Sequence, residues 1–462
     1  MLINYLFFLF PFFLYLGIAL QGASFYLTCI VVPSMYFIKH KKTIPNYVLK
    51  TALCLLLLHI IFPLTNIINY LFPLKQFPNF EFNLVLKWPS ILQSNFPSYL
   101  FIGTIFLSIF WYISKNQKNN LQNKVYNSCE ILPLKYFLTG LFPASIFICL
   151  ALIYQYNVGL DFHSFKGNLL ESTELLDNGK YRVNGFYGHP LTIAGVGLAY
   201  SIFSWSLLWI SIIKKDAYNF NNLFLFKNIS IQRIALITIT LCNFIIVILS
   251  SGRTAGVACI FMLIAIPLFL GIKRKPVLTV LTILILSFTS YFFLKKSGLM
   301  ERIQFTTNSV TQNQTLDTGN YRQYFWKVYW QMFLDKPIVG HGNYWLKAGI
   351  RENYYNKMGY ENLPEKYNAH NNYLEILACG GLLALIWILS VLFILYKNIK
   401  NQINKHQKDL NYLIFCYSCM FIGNLIHALT QNVYFDSSVV YIYTSLIYVI
   451  IWHISFKENL IK

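Results

Sequence analysis

The sequence predicts an all-α, polytopic membrane bundle of about twelve transmembrane helices, and three observations carry that prediction. Of 462 residues, 56% are hydrophobic and only 12% are charged, whereas soluble domains run near a quarter charged. Apolar windows of about 20 residues, enough to cross ~30 Å of hydrocarbon, recur along most of the chain. Tyr (33) and Phe (40) are abundant, which suits both lipid-facing surfaces and interfacial belts. A single soluble core cannot hide this much apolar surface, but a bilayer solvates it.

Taken in order, the expected spans are 4–21, 24–38, 51–72, 97–114, 136–155, 189–213, 233–250, 254–272, 276–294, 373–396, 411–429 and 438–456. The second is short and contains Pro33. The first lacks a basic leader and its apolar run is too long for a signal peptide, so it is read as a retained span. With the N-terminus inside, the inner segments hold 21 basic and 4 acidic residues, and the outer ones 16 and 13. Every short inner loop is basic, Lys39-His40-Lys41-Lys42 and Lys273-Arg274-Lys275 among them, as the positive-inside rule requires.

That topology divides the chain into spans one to nine (1–294), a large outer loop (295–372) and spans ten to twelve (373–462). It also accounts for the net charge of +20 without nucleic acid, since no basic block interleaved with aromatics is present. Eight of the nine cysteines fall inside apolar spans, and Cys129 lies in a basic loop. Cys416 and Cys419 form a CxxC within an apolar helix, where packing is the expected role.

The outer loop is polar and aromatic where the rest of the chain is apolar. Tyr321, Phe325, Val328, Tyr329 and Met332 recur at helical spacing, so a helix is expected over Asn320–Asp335. Lys336-Pro337 stops it, and Gly340-His341-Gly342 makes a turn. Two further outer segments, 73–96 and 156–188, are also polar.

The groups able to do chemistry gather on this outer side. Arg182 lies in Tyr-Arg-Val-Asn-Gly-Phe-Tyr-Gly-His-Pro, with His189 at its end. Arg253 lies in Ser-Ser-Gly-Arg-Thr-Ala-Gly at the tight turn between spans seven and eight. Arg322 opens the outer helix, and His370 immediately precedes span ten. Arg253 is the most informative, because an arginine held at a short outer turn near hydrocarbon is costly unless an anion pairs with it. Read singly, Arg253 could snorkel to lipid phosphate, Arg182 could be an ordinary loop residue, and either histidine could be an interfacial one. As a set facing one compartment they suit a pyrophosphate, because guanidinium grips phosphate bidentately and stays charged.

These residues resemble the signature of the O-antigen ligase/polymerase superfamily of the Wzy_C type. The elements are Gly252-Arg253-Thr254, Arg322 with Trp326, Pro337-x-x-Gly340-x-Gly342, and His370-Asn371-x-Tyr373-Leu374 with Gly380-Gly381. Arg182-x-x-Gly185-Phe186 to His189-Pro190 resembles the upstream element. The resemblance implies a GT-C-like glycosyltransferase of the bacterial inner membrane whose active site faces the periplasm. It implies an undecaprenyl-pyrophosphate-linked glycan as donor, a lipid A–core sugar hydroxyl as acceptor, and neither metal nor cofactor. Arg182 and Arg253 would hold the pyrophosphate and His370 would act on the acceptor. Arg322 and His189 would assist in binding, and Glu375 is a reserve base.

The RX10G spacing of some polymerases is missing, since position 193 is Ile and position 333 is Phe. That favours a ligase over a polymerase of the same superfamily. A lipid-glycan flippase or other transporter is the rival of a different class. It fits less well, because transporters place ionisable groups at mid-membrane and here the span centres are nearly free of charge.

Overall fold

The computed structural model describes residues 2–40, 44–71, 132–163, 168–170, 175–176, 179–213, 223–296, 318–342, 350–361, 363, 368–406, 411–432 and 436–461. Among the described residues the chain is helical. The exceptions are loops and two isolated antiparallel bridges, Leu160 with Leu169 and Leu175 with Tyr181. The helices are α1 (Leu2–Tyr15), α2 (Ile18–His40), α3 (Asn46–Leu71), α4 (Pro133–Val158), α5 (Pro190–Ile213), α6 (Ile229–Leu249) and α7 (Arg253–Gly271). They continue as α8 (Pro276–Lys296), α9 (Thr318–Asp335), α10 (Ile350–Lys357), α11 (Asn372–His406), α12 (Asn411–His427) and α13 (Ser437–Ile461).

Six of them, α2, α4, α5, α6, α7 and α11, are long and apolar enough to cross a membrane, and α3 adds one more if its 41° bend is counted within one span. The chain is therefore a multi-pass membrane protein. Helices α1, α8, α12 and α13 are apolar over shorter stretches. The expected span 97–114 and the outer segment 73–96 lie outside the described residues. Large apolar side chains point outward from these helices, with Phe269 77%, Val277 72% and Phe288 66% exposed. Such a surface is rare on a soluble monomer and natural against lipid.

Helix α5 is the axis of the bundle. Its apolar window is 83% buried, and it packs against α6, α7, α12 and α13. Some polar side chains inside the bundle are paired across helices, as the absence of water favours. Tyr15 donates to Asn243 Oδ1 at 2.6 Å, and Asn243 Nδ2 donates to Ser145 Oγ at 3.1 Å, joining α1, α6 and α4.

Two details differ from the sequence reading. The first expected span, 4–21, is divided by a break at Leu16–Gly17, where Gly17 has φ +95 and faces the Phe186 carbonyl. Apolar residues flank the break on both sides, so hydropathy carries no trace of it. The short second span is instead a 23-residue helix that continues through Pro33.

The described part of 295–372, expected as the outer loop, packs on the bundle. Helix α9 buries Phe325, Val328, Tyr329 and Met332, the face its spacing predicts, and contacts α11. Helix α11 is itself interrupted. Gly381 (φ 61, ψ −162) is not helical, and the loop after α9 is docked against the break. His341 N donates to Ala378 O (2.8 Å) and Gly342 N to Cys379 O (2.6 Å), while Leu382 N donates to Pro337 O (2.8 Å) and Leu383 N to Ile338 O (3.0 Å). The loop thus replaces the backbone bonds that the helix gives up, which a non-helical stretch in an apolar setting requires.

Candidate functional site

The site begins at the turn between α6 and α7. Ser250 caps α6, Ser251 is buried at φ +53, and Gly252 leads into Arg253, the first residue of α7. Arg253 therefore sits where the first N–H groups of a 19-residue helix have no intrahelical acceptor and the helix dipole is positive. Arg182 is fastened to the same turn. Its Nε–H donates to Ser250 O at 2.8 Å, and Val183 N donates to Leu249 O at 3.3 Å. A guanidinium bonded to the last carbonyls of α6 complements the negative end of that helix.

His189 precedes Pro190, the first residue of α5. Its Nδ1 accepts from Leu191 N at 3.1 Å, so the ring caps the helix with an acceptor, as N-cap side chains do. Loss of solvent, then the Arg182 and His370 charges, push its pKa down to about 4, although part of the residue remains exposed. His189 is thus near enough to both Arg182 and His370 to feel their charges.

His370 occupies the entry to α11. Asn371 caps the helix, its Oδ1 accepting from Tyr373 N (3.0 Å) and Leu374 N (3.1 Å). His370 itself has φ +44. Its ring lies 6.3 Å from that of Phe325 on α9 and is hydrogen-bonded to the Gln431 side chain. Burial first, then the Arg322 charge, lower its pKa to about 4, and the Gln431 bond opposes them. Trp326 Nε1 donates to Ala369 O at 2.9 Å, so α9 brings Arg322 and lies against the His370 loop. Glu375, 4% exposed, accepts from Ala369 N (3.0 Å) and Asn432 Nδ2 (3.2 Å).

Among the described residues, Ser251 and His370 are the two non-glycine positions with positive φ. Left-handed backbone at such residues is disfavoured and gathers at functional sites. One flanks Arg253 and the other is the histidine itself.

The segment after α12 was not singled out from the sequence, yet it ties these parts together. Thr430 and Thr254 share a hydrogen bond between their hydroxyls, linking it to the start of α7. Asn372 N donates to Ala428 O at 2.9 Å. Gln431 and Asn432 engage His370 and Glu375. Asp436 Oδ2 accepts from Thr192 Oγ1 at 2.6 Å, fixing the start of α13 to α5. The signal was a polar run, Thr430-Gln431-Asn432, at the end of an apolar span. Taken singly, its members look like ordinary span-end residues.

A cavity of about 350 Å³ opens next to this cluster at Asn372, Tyr373 and Asn424. It continues between α11, α12 and α13 to Leu395 and Ile399, with an almost wholly apolar lining.

Comparison with known proteins agrees with the motifs. Residues 238–389, which include Arg253, Arg322 and His370, match the Wzy_C family, described as O-Antigen ligase. Arg182 and His189 lie upstream of the matched stretch. A protein of Rickettsia conorii described as a polysaccharide ligase is 26% identical over 205 residues, covering 39% of this chain and 48% of that protein. The chain thus spans about half the length of that relative. By its motifs, its family match and this relative, the chain resembles the O-antigen ligases of the Wzy_C type.

Proposed function

We propose that this protein transfers a glycan from undecaprenyl pyrophosphate to a sugar hydroxyl of lipid A–core at the periplasmic face of a bacterial inner membrane, within a twelve-span topology. The observation that carries this reading is the joining of Arg182, His189 and the Arg253 turn with His370 and Arg322 in one cluster at the ends of α5, α6, α7 and α11. The start of α7 adds N–H groups that have no intrahelical acceptor to two guanidinium groups, a setting that favours an anion. The apolar cavity beside Asn372 suits the isoprenoid chain of the same donor.

The compartment outside the cytoplasm lacks nucleotide sugars and ATP, so the donor must arrive already activated. In the reaction, the acceptor oxygen attacks the anomeric carbon and gives its proton to His370. The bond from that carbon to the phosphate oxygen breaks, and the pyrophosphate departs with the electron pair. Arg182 and Arg253 stabilise the charge that develops there. A single displacement inverts the anomeric configuration. Burial, with the Arg322 charge adding to it, keeps the His370 ring uncharged and ready to accept a proton.

A base held neutral by burial has a definite pH signature. The active form of His370 is the unprotonated one, present above its pKa and lost as pH falls through about 4. The acid limb of kcat/KM, which reports the free enzyme, is therefore expected near pH 4 rather than near 6.5. Binding of the anionic donor opposes this depression, so the limb of kcat should lie higher than that of kcat/KM. Limbs at 6.5 for both would remove His370 as the base.

The deciding experiment is reconstitution of the purified protein with undecaprenyl-pyrophosphate-linked glycan and lipid A–core, with product followed by gel and mass spectrometry. Product is expected from the wild type in detergent, with no second compartment, and none from His370→Ala. Movement of donor across vesicles without any product would replace transfer by transport.

A further inference from the structure

We propose that the turn closing α12, Asn424–Asn432, is a carbohydrate subsite that binds hydroxyl groups of the acceptor sugar; this rests on the glycosyl-transfer reading above. Its main chain and several side-chain groups are engaged. Ala428 O accepts from Asn372 N, Thr430 bonds Thr254, Gln431 bonds His370, and Asn432 Nδ2 bonds Glu375. The same turn nonetheless carries buried polar atoms with no partner. These are Asn424 Oδ1, both ring nitrogens of His427, Gln431 Oε1 and Asn432 Oδ1. His427 is 1% exposed and Asn432 8%. Buried polar groups are satisfied almost everywhere in native proteins, so five such atoms on one turn beside His370 call for a ligand.

The chemistry of those atoms selects its class. Three are amide carbonyl oxygens, which accept only, and a neutral imidazole adds one donor and one acceptor. A pyrophosphate would be repelled by the carbonyl oxygens, and an isoprenoid chain would leave every group unsatisfied. Sugar hydroxyls both donate and accept, and they match the whole set. The position agrees. His370 is coupled to His189 and, through it, to Arg182, and it is hydrogen-bonded to Gln431, so a sugar held on this turn presents its hydroxyl to the imidazole. Among the described residues, Arg322, Glu375 and Asp436 are charged groups close to the turn. Phe325 and Trp326 of α9 lie over the adjoining His370 loop.

The test uses the full chain in nanodiscs, with undecaprenyl-pyrophosphate-linked glycan as donor and lipid A–core as acceptor. His427→Leu and Asn424→Leu are each expected to raise the KM for lipid A–core about tenfold, the equivalent of one hydrogen bond, while the donor KM changes by less than about threefold. Their melting temperatures without ligand should equal or exceed wild type, because an unpartnered buried group has been removed. His427→Gln, which restores a donor and an acceptor, should recover most of the loss. Unchanged acceptor KM in a folded His427→Leu protein, or a rise in donor KM instead, overturns the subsite. If His427→Leu does not fold, Asn424→Leu carries the same decision. Binding of free core oligosaccharide that depends on His427, with no product formed by the wild type, would keep the subsite and end the transfer reading.

Discussion

Replacing Arg253 by alanine is expected to lower kcat for glycan transfer by about 10²–10³-fold, the usual cost of losing one preorganised group that stabilises developing negative charge. Expression and melting temperature should stay close to wild type. Arg253 is the first residue of α7, so its charge sits at the positive end of the helix dipole. There a cation is unfavourable by about 0.3–1 kcal/mol, which its removal relieves. Arg253→Lys keeps the charge but not the planar fork, so it should recover only part of the activity. Arg182→Ala should behave differently, losing both activity and stability, because its Nε–H bonds Ser250 O at the favourable, negative end of α6. A fall in melting temperature for Arg253→Ala as large as that for Arg182→Ala would mean that Arg253 is a structural residue. Wild-type turnover by Arg253→Ala would remove it from the site.

That contrast between two arginines could not be drawn from the sequence, where both are cations at the outer ends of spans. Helix positions were readable because a helix in lipid must be apolar over its whole length, and that requirement leaves continuous runs such as 190–213. Phe325, Val328, Tyr329 and Met332 were readable as one buried face because their period is that of a helix. The break at Gly17 was not, since nothing polar marks it. His427 is the clearest case of the other kind. Among the described residues, neither of its ring nitrogens has a hydrogen-bond partner. The identity of that residue was visible, but its surroundings depend on which faces of α5, α7 and α12 meet, and hydropathy does not contain that.

Gly340 was legible as part of a turn and Gly381 only as a motif position, and the structure gives both a physical reason that leads to the second large effect. Gly340→Ala and Gly381→Ala are each expected to destabilise the protein by about 2–5 kcal/mol, judged by thermal melting in detergent and by loss of monodisperse protein. Both residues have positive φ, 62 and 61, which costs a residue with a Cβ about 1–2 kcal/mol. Both also sit against backbone that cannot step aside. A Cβ on Gly340 would lie 2.4 Å from Cys379 C and Gly380 N, and one on Gly381 would lie 2.4 Å from Ile338 C and O. Overpacking of this kind adds about 1–3 kcal/mol. The four main-chain bonds between 337–342 and 378–383 depend on that approach, and separating the two segments would leave their groups unpaired in an apolar setting. Because both glycines serve one junction, the double variant should cost clearly less than the sum of the two singles. Activity should fall with them, since α11 carries His370 at its entrance and the loop ends the helix that carries Arg322. Full additivity, or a melting temperature within a degree or two of wild type for either single variant, would mean that the loop is not what holds the broken helix.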